Sequence, residues 1–97
     1  MDLKRFIKNR LSVVIKKVEP LETLKKIPKK ERCEVAQNPS TPPAALQELA
    51  RDADEYIRYW VAHNPSTPPA ALQELARDKD WYVRWGVARN PNTLMEM

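Results

Sequence analysis

Apolar side chains recur three or four residues apart in short bursts along the chain, and strict alternation is absent. This spacing predicts helices. The longest burst is Leu3, Ile7, Leu11, Val14 and Val18, with Arg5, Lys8, Asn9, Ser12 and Lys16 on the opposite side and Glu19–Pro20 as its stop. Further on the bursts shorten to pairs. Leu46 and Leu49 mark one helix, Ile57 and Val61 the next, and Leu72 with Leu75 and Val83 with Val87 repeat the two. The breaks between them have a chemical cause. Pro42 and Pro43 suit a first helical turn, where no intrahelical donor is needed. The Asn64–Pro65 pair ends a helix, because a residue before proline is pushed out of helical geometry. The reading is a helix over 44–50 with Ser40 or Thr41 as a hydroxyl cap, then a helix over 55–63 capped by Asp54.

The pairs belong to an internal repeat. Residues 35–60 and 61–86 are identical at 20 of 26 positions, and a third copy opens at Val87 with VARNPNT. The segment 21–34 reads as a degenerate half-unit: Leu21 and Leu24 match Leu46 and Leu49, Arg32 matches Arg58 and Arg84, and Cys33 matches Tyr59 and Trp85. The predicted organisation is therefore one domain: a capping helix over 1–19, a half-repeat over 21–34, repeats over 35–60 and 61–86, and a truncated repeat over 87–97. A chain of stacked units needs a polar outer face at its end, which the basic N-terminal helix supplies. The fold class is all-α, a short helical solenoid.

The repeated motif V-A-x-N-P-x-T-P-x-x-x-L-x-x-L-A-x-D, followed by V/I-R, resembles that of the leucine-rich repeat variant family, strongly over 35–93 and weakly over 21–34. The resemblance implies a right-handed superhelix of two stacked helical layers, one α and the other either α or 3₁₀; it does not imply an enzyme. Some members of that family carry an N-terminal cysteine cluster holding an iron–sulfur centre. Here Cys33 is the single cysteine, so the cluster is not carried over. The motif is also distantly similar to HEAT-type helical repeats, which mostly bind proteins and occasionally nucleic acid.

Composition narrows the function further. The chain has 97 residues, one glycine, nine prolines, one cysteine and one histidine. One glycine leaves no phosphate-cradling loop, and one cysteine with one histidine leaves no metal box within a single chain. No cofactor and no catalytic residue is expected. Cys33 lies near Lys29, Lys30 and Arg32 but also near Glu31 and Glu34, and reads as an ordinary thiol. No run of 18 apolar residues and no secretory leader is visible, so the expected compartment is the cytoplasm.

Charge and aromatics supply two rival functions. Residues 1–34 carry a net +6 and residues 35–97 a net −2. The basic patch Lys25, Lys26, Lys29 and Lys30 fits nucleic-acid phosphate. Six of the seven aromatic residues lie in the second helices of the repeats. A helical wheel sets Tyr56, Tyr59 and His63 in one column and Tyr82, Trp85 and Arg89 in the equivalent column. Stacked units would merge them into one patch, either presented to a partner or buried between turns. All six differences between the two copies lie in or beside these second helices, while the leucine-bearing helix is unchanged. The favoured reading is a non-enzymatic module that binds a protein through this aromatic patch, and nucleic-acid binding is the alternative. Leu94, Met95 and Met97 either fold back over the last stacking face or join a second molecule into a homodimer. The recurrent Asn38, Asn64 and Asn90 read as turn and backbone ligands, and Arg58 and Arg84 with the neighbouring aspartates as an ion-pair ladder between turns.

Overall fold

The computed structural model describes residues 24–95. The capping helix expected over 1–19 and the start of the half-repeat lie outside the described residues. Six α-helices follow in order: α1 (Lys29–Gln37), α2 (Pro43–Leu49), α3 (Glu55–His63), α4 (Pro69–Leu75), α5 (Trp81–Arg89) and α6 (Pro91–Met95). They form two layers. Helices α1, α3 and α5 pack side by side in one, and the shorter α2, α4 and α6 stack in the other. Both layers are α-helical, and among the described residues 3₁₀ geometry is confined to Leu24 and Lys25.

Proline sets the start of each short helix. Pro42 and Pro68 are extended, with ψ of 142° and 154°, because each precedes another proline, and the helix begins at Pro43 and Pro69. In the third copy Leu94 and Met95 replace this pair, restoring two backbone donors, and α6 starts at once at Pro91. The long helices end at Asn38, Asn64 and Asn90, all extended ahead of a proline.

Those prolines leave carbonyls without their usual donor. The carbonyl of Val35 would accept from residue 39 and that of Val61 from residue 65, and both are proline. The buried hydroxyls of Thr41 and Thr67 donate to them instead, at 2.7 and 2.6 Å. This corrects the expectation for Thr41: its hydroxyl closes the preceding helix and does not cap the following one, which has no side-chain cap. Ser40 likewise offers only its backbone N–H, to Asn38 Oδ1 at 2.9 Å. Asp54 does cap α3, accepting from Tyr56 and Ile57 N–H.

The core lies between the layers. Leu46, Leu49, Ile57, Val61, Leu72, Leu75, Val83 and Val87 are all buried, joined by the repeated alanines at 36, 45, 62 and 71. Each buried aliphatic side chain contributes roughly 1.5–3 kcal/mol. Ala62 on α3 packs directly against Gly86 of α5, so these two long helices approach closely.

Two polar ladders fasten unit to unit. Asn64 Nδ2 donates to the carbonyls of Ala36 and Asn38, and Asn90 Nδ2 to those of Ala62 and Asn64, at 2.7–3.0 Å. Each asparagine oxygen accepts the N–H two residues on. The second ladder runs through arginine. Arg32 Nε reaches Asp52 at 2.9 Å. Arg58 reaches Asp78 at 2.7 Å and Asp80 at 2.8 Å, and also donates to the carbonyls of Asp52 and Ala53. Arg84 departs from the expected ladder: it is exposed, and among the described residues it pairs with no aspartate side chain and donates to the backbone carbonyl of Asp78 in its own unit.

Candidate functional site

The α1–α3–α5 layer turns one side to the core and the other outward. In α3 and α5 the inward positions are Ile57, Val61, Val83 and Val87, so side chains at 56, 59, 60, 63, 81, 82 and 85 fall beside or opposite them. The six residues expected to form an aromatic column do come together. The Tyr56 ring lies 6.4 Å from Tyr82, and Tyr59 lies 6.0 Å from Tyr82 and 4.4 Å from His63. His63 lies 5.6 Å from Trp85, and the Arg89 guanidinium sits 4.9 Å above the Trp85 ring. This is a continuous run of rings across two units.

The column is at once packing and surface. Tyr59 and Tyr82 are half-buried against the core, while Tyr56 and Trp85 remain 57% and 45% exposed. His63 fills the gap between α3 and α5. A Cβ at Gly86 would stand 3.0 Å from the His63 ring and from Ala62 Cβ, so the glycine is what lets the ring lie there. His63 Nε2 is buried with no hydrogen-bond partner. Burial and then the Arg89 charge hold its pKa below the usual histidine value of 6.5, which favours the neutral ring.

Two residues extend this surface beyond the predicted column. Trp81 is 67% exposed and meets Tyr82 edge-on at 5.8 Å, and Trp60 meets Tyr59 edge-on at 5.1 Å. Wheel position left them out. The available signal was that both stand where the two copies differ, at the Glu55/Trp81 and Trp60/Gly86 pairs.

The four lysines of the alternative patch do not act alike. Lys25, Lys26 and Lys30 are exposed. Lys29 leans onto the aromatic face: its Nζ lies 2.7 Å from Asp54 Oδ2 and 5.8 Å from the Tyr56 centroid. The Asp54 bond raises the Lys29 pKa, and the Lys29 bond lowers that of Asp54. Part of the patch charge is therefore neutralised within the fold.

Chemistry elsewhere is sparse. The half-buried Cys33 thiol is pushed up in pKa, by burial first and the Asp54 carboxylate second, against the pull of Lys29 and Arg32. That is the opposite of nucleophile activation. Among the described residues no group of three or more histidine, cysteine or acidic side chains is disposed to hold a metal ion, and no helix is long and apolar enough to cross a membrane.

The repeat frame agrees with a known family. The leucine rich repeat variant family model matches residues 30–54 and 57–80, just over half of the chain, as two adjacent repeats. The chain belongs to the leucine rich repeat variant family. Each match runs from a long helix, through a proline-led short helix, to the aspartates that accept the arginine ladder. The leucine rich repeat variant unit here is thus built around the Asn–Pro turn, the leucine pair and the Arg–Asp link. No curated protein and no solved structure matches the chain.

Proposed function

We propose that the chain is a non-enzymatic binding module that presents the outward face of α3 and α5 to a protein partner, in the cytoplasm. The observation that carries this reading is the exposure of Tyr56, Trp60, Trp81 and Trp85 on one layer of a small fold. Large aromatic rings left in water are unusual in a monomeric surface and are the side chains that anchor protein interfaces. The helical-repeat architecture favours the same role. The rings rest on rigid, stacked helices and lose little freedom on binding.

Capture of partners from the source cell tests this. The wild-type chain is compared with a Tyr59→Ala/Tyr82→Ala/Trp85→Ala variant and a Lys25→Ala/Lys26→Ala/Lys29→Ala/Lys30→Ala variant, each first checked for a native helical spectrum. Loss of the main partner in the aromatic variant alone is the expected result. Loss only in the lysine variant, with salt-sensitive nucleic acid copurifying, would move the function to nucleic-acid binding. An aromatic variant that fails to fold is replaced by Trp81→Ala/Trp85→Ala, whose rings are exposed.

A further inference from the structure

The aromatic face carries an internal example of what it can hold. The equivalent position of the three successive long helices is Lys29 in α1, Glu55 in α3 and Trp81 in α5. Lys29 reaches across to the next helix and sets its ammonium beside Asp54 and over Tyr56, at 2.7 and 5.8 Å. The carboxylate and the negative ring face both stabilise a cation there.

The next unit repeats the aspartate and tyrosine of this arrangement in sequence and reverses the charge of the third residue; Asp80, unlike Asp54, caps no helix N–H. Asp80 and Tyr82 occupy the repeat positions of Asp54 and Tyr56, and Glu55 occupies that of Lys29. Glu55 and Asp80 both act on the Tyr82 hydroxyl: after burial, their charges are what hold its pKa above the usual tyrosine value. Arg58 bonds Asp80 Oδ2 from the inner side at 2.8 Å. On the outer side the exposed rings of Tyr56 and Trp81 flank Tyr82 at 6.4 and 5.8 Å. The surface here combines open aromatic area with two carboxylates, on a repeat region whose net charge is −2.

We propose that this end of the face binds a basic segment of the partner protein, seating a lysine or arginine side chain over Tyr82 between Glu55 and Asp80, as Lys29 is seated over Tyr56 beside Asp54. The inference rests on the reading of the aromatic face as a protein-binding surface and names the chemistry of the partner. A nucleic acid would bring phosphate against the same two carboxylates and is disfavoured at this place.

Fluorescence anisotropy of three labelled probes titrated with the full chain decides the matter: a lysine–glycine peptide, a glutamate–glycine peptide of equal length and a single-stranded oligonucleotide. The lysine peptide is expected to bind tightest. Glu55→Lys copies the position of Lys29 and fills the seat from within, so it should weaken that peptide about tenfold or more with the melting temperature retained. Glu48→Lys makes the same charge change on the exposed side of α2, in the other layer, and should leave binding within about twofold. Lys29→Glu opens the equivalent seat over Tyr56 and should strengthen binding. Equal weakening by Glu48→Lys and Glu55→Lys, or tighter binding of either anionic probe, overturns the proposal. If the lysine peptide fails to bind while the aromatic variant still loses its cellular partner, this proposal falls and the protein-binding reading stands. If the aromatic variant keeps its partner, that reading falls with it.

Discussion

At the scale of single residues, the fold is governed by missing donors. The Asn38–Pro39 and Asn64–Pro65 turns each remove an N–H that a helix would use, and three side chains make up the loss. A threonine hydroxyl takes the stranded carbonyl, an asparagine oxygen takes a turn N–H, and the asparagine amide of the following unit takes two more carbonyls. Among the described residues two side chains have an unmet demand, the Thr93 hydroxyl and the ring of His63. Its buried Nε2 lacks a partner, and its folded pKa lies below 6.5. As pH falls through about 6.5, the unfolded chain takes up a proton that the folded chain resists, so the folded state loses stability until the lower folded pKa is passed. Asp54 and Glu74 are held below their usual carboxylate values and titrate further down. The expected outcome is a melting temperature that drops between about pH 7.5 and about pH 5.5, and that stays nearly level over this window in His63→Gln. An unchanged slope in that variant would mean the histidine is not the group responsible.

Elements in this molecule differ where they touch. Gln37 and Trp60 of the first copy become His63 and Gly86 in the second. These two changes face each other: the glycine gives up about 0.5–1 kcal/mol of helix propensity, and in exchange the imidazole lies 3.0 Å from where its Cβ would be. They form a compensated pair. Gly86→Trp alone should destabilise the chain by about 1–3 kcal/mol through overpacking. Adding His63→Gln should return part of that loss, with a coupling of about 0.5–3 kcal/mol in a double-mutant cycle read by urea denaturation. Strict additivity would show that the two helices accommodate the ring independently.

For the whole molecule, the question is what makes separate units one cooperative body. Stacked repeats contact only their neighbours, so the links between them matter more than any one helix. The Arg58 link to Asp78 is nearly buried, at 10% and 9% side-chain exposure. Arg58→Met leaves Asp78 without its partner in a dry setting and should cost about 3–5 kcal/mol, measured by urea denaturation. The Arg51–Glu74 pair also joins two units but is 63% and 40% exposed, and Arg51→Ala should cost at most about 1 kcal/mol. Similar losses in the two variants would contradict a burial-dependent ladder.

The repeat, the helix boundaries near proline, the leucine and valine core and the asparagine and arginine ladders were all legible in the residues, because each follows from local chemistry copied twice. Proline lacks a donor wherever it stands, and apolar residues three or four apart share a helix face before any partner is present. The reversed role of Thr41 was not legible. Whether a hydroxyl donates backward or accepts forward depends on which carbonyl the turn leaves stranded, and that requires the path of the backbone. The aromatic column could be listed from the sequence, but its division into packed rings (Tyr59, Tyr82) and open rings (Tyr56, Trp85) was decided by the spacing of α3 and α5. The spacing of α1 and α3 likewise drew Lys29 out of a basic patch and onto Tyr56. Helix-to-helix distance is a property of the packed layers, set jointly by alanines, Gly86 and the inter-unit hydrogen bonds, and no single stretch of chain encodes it.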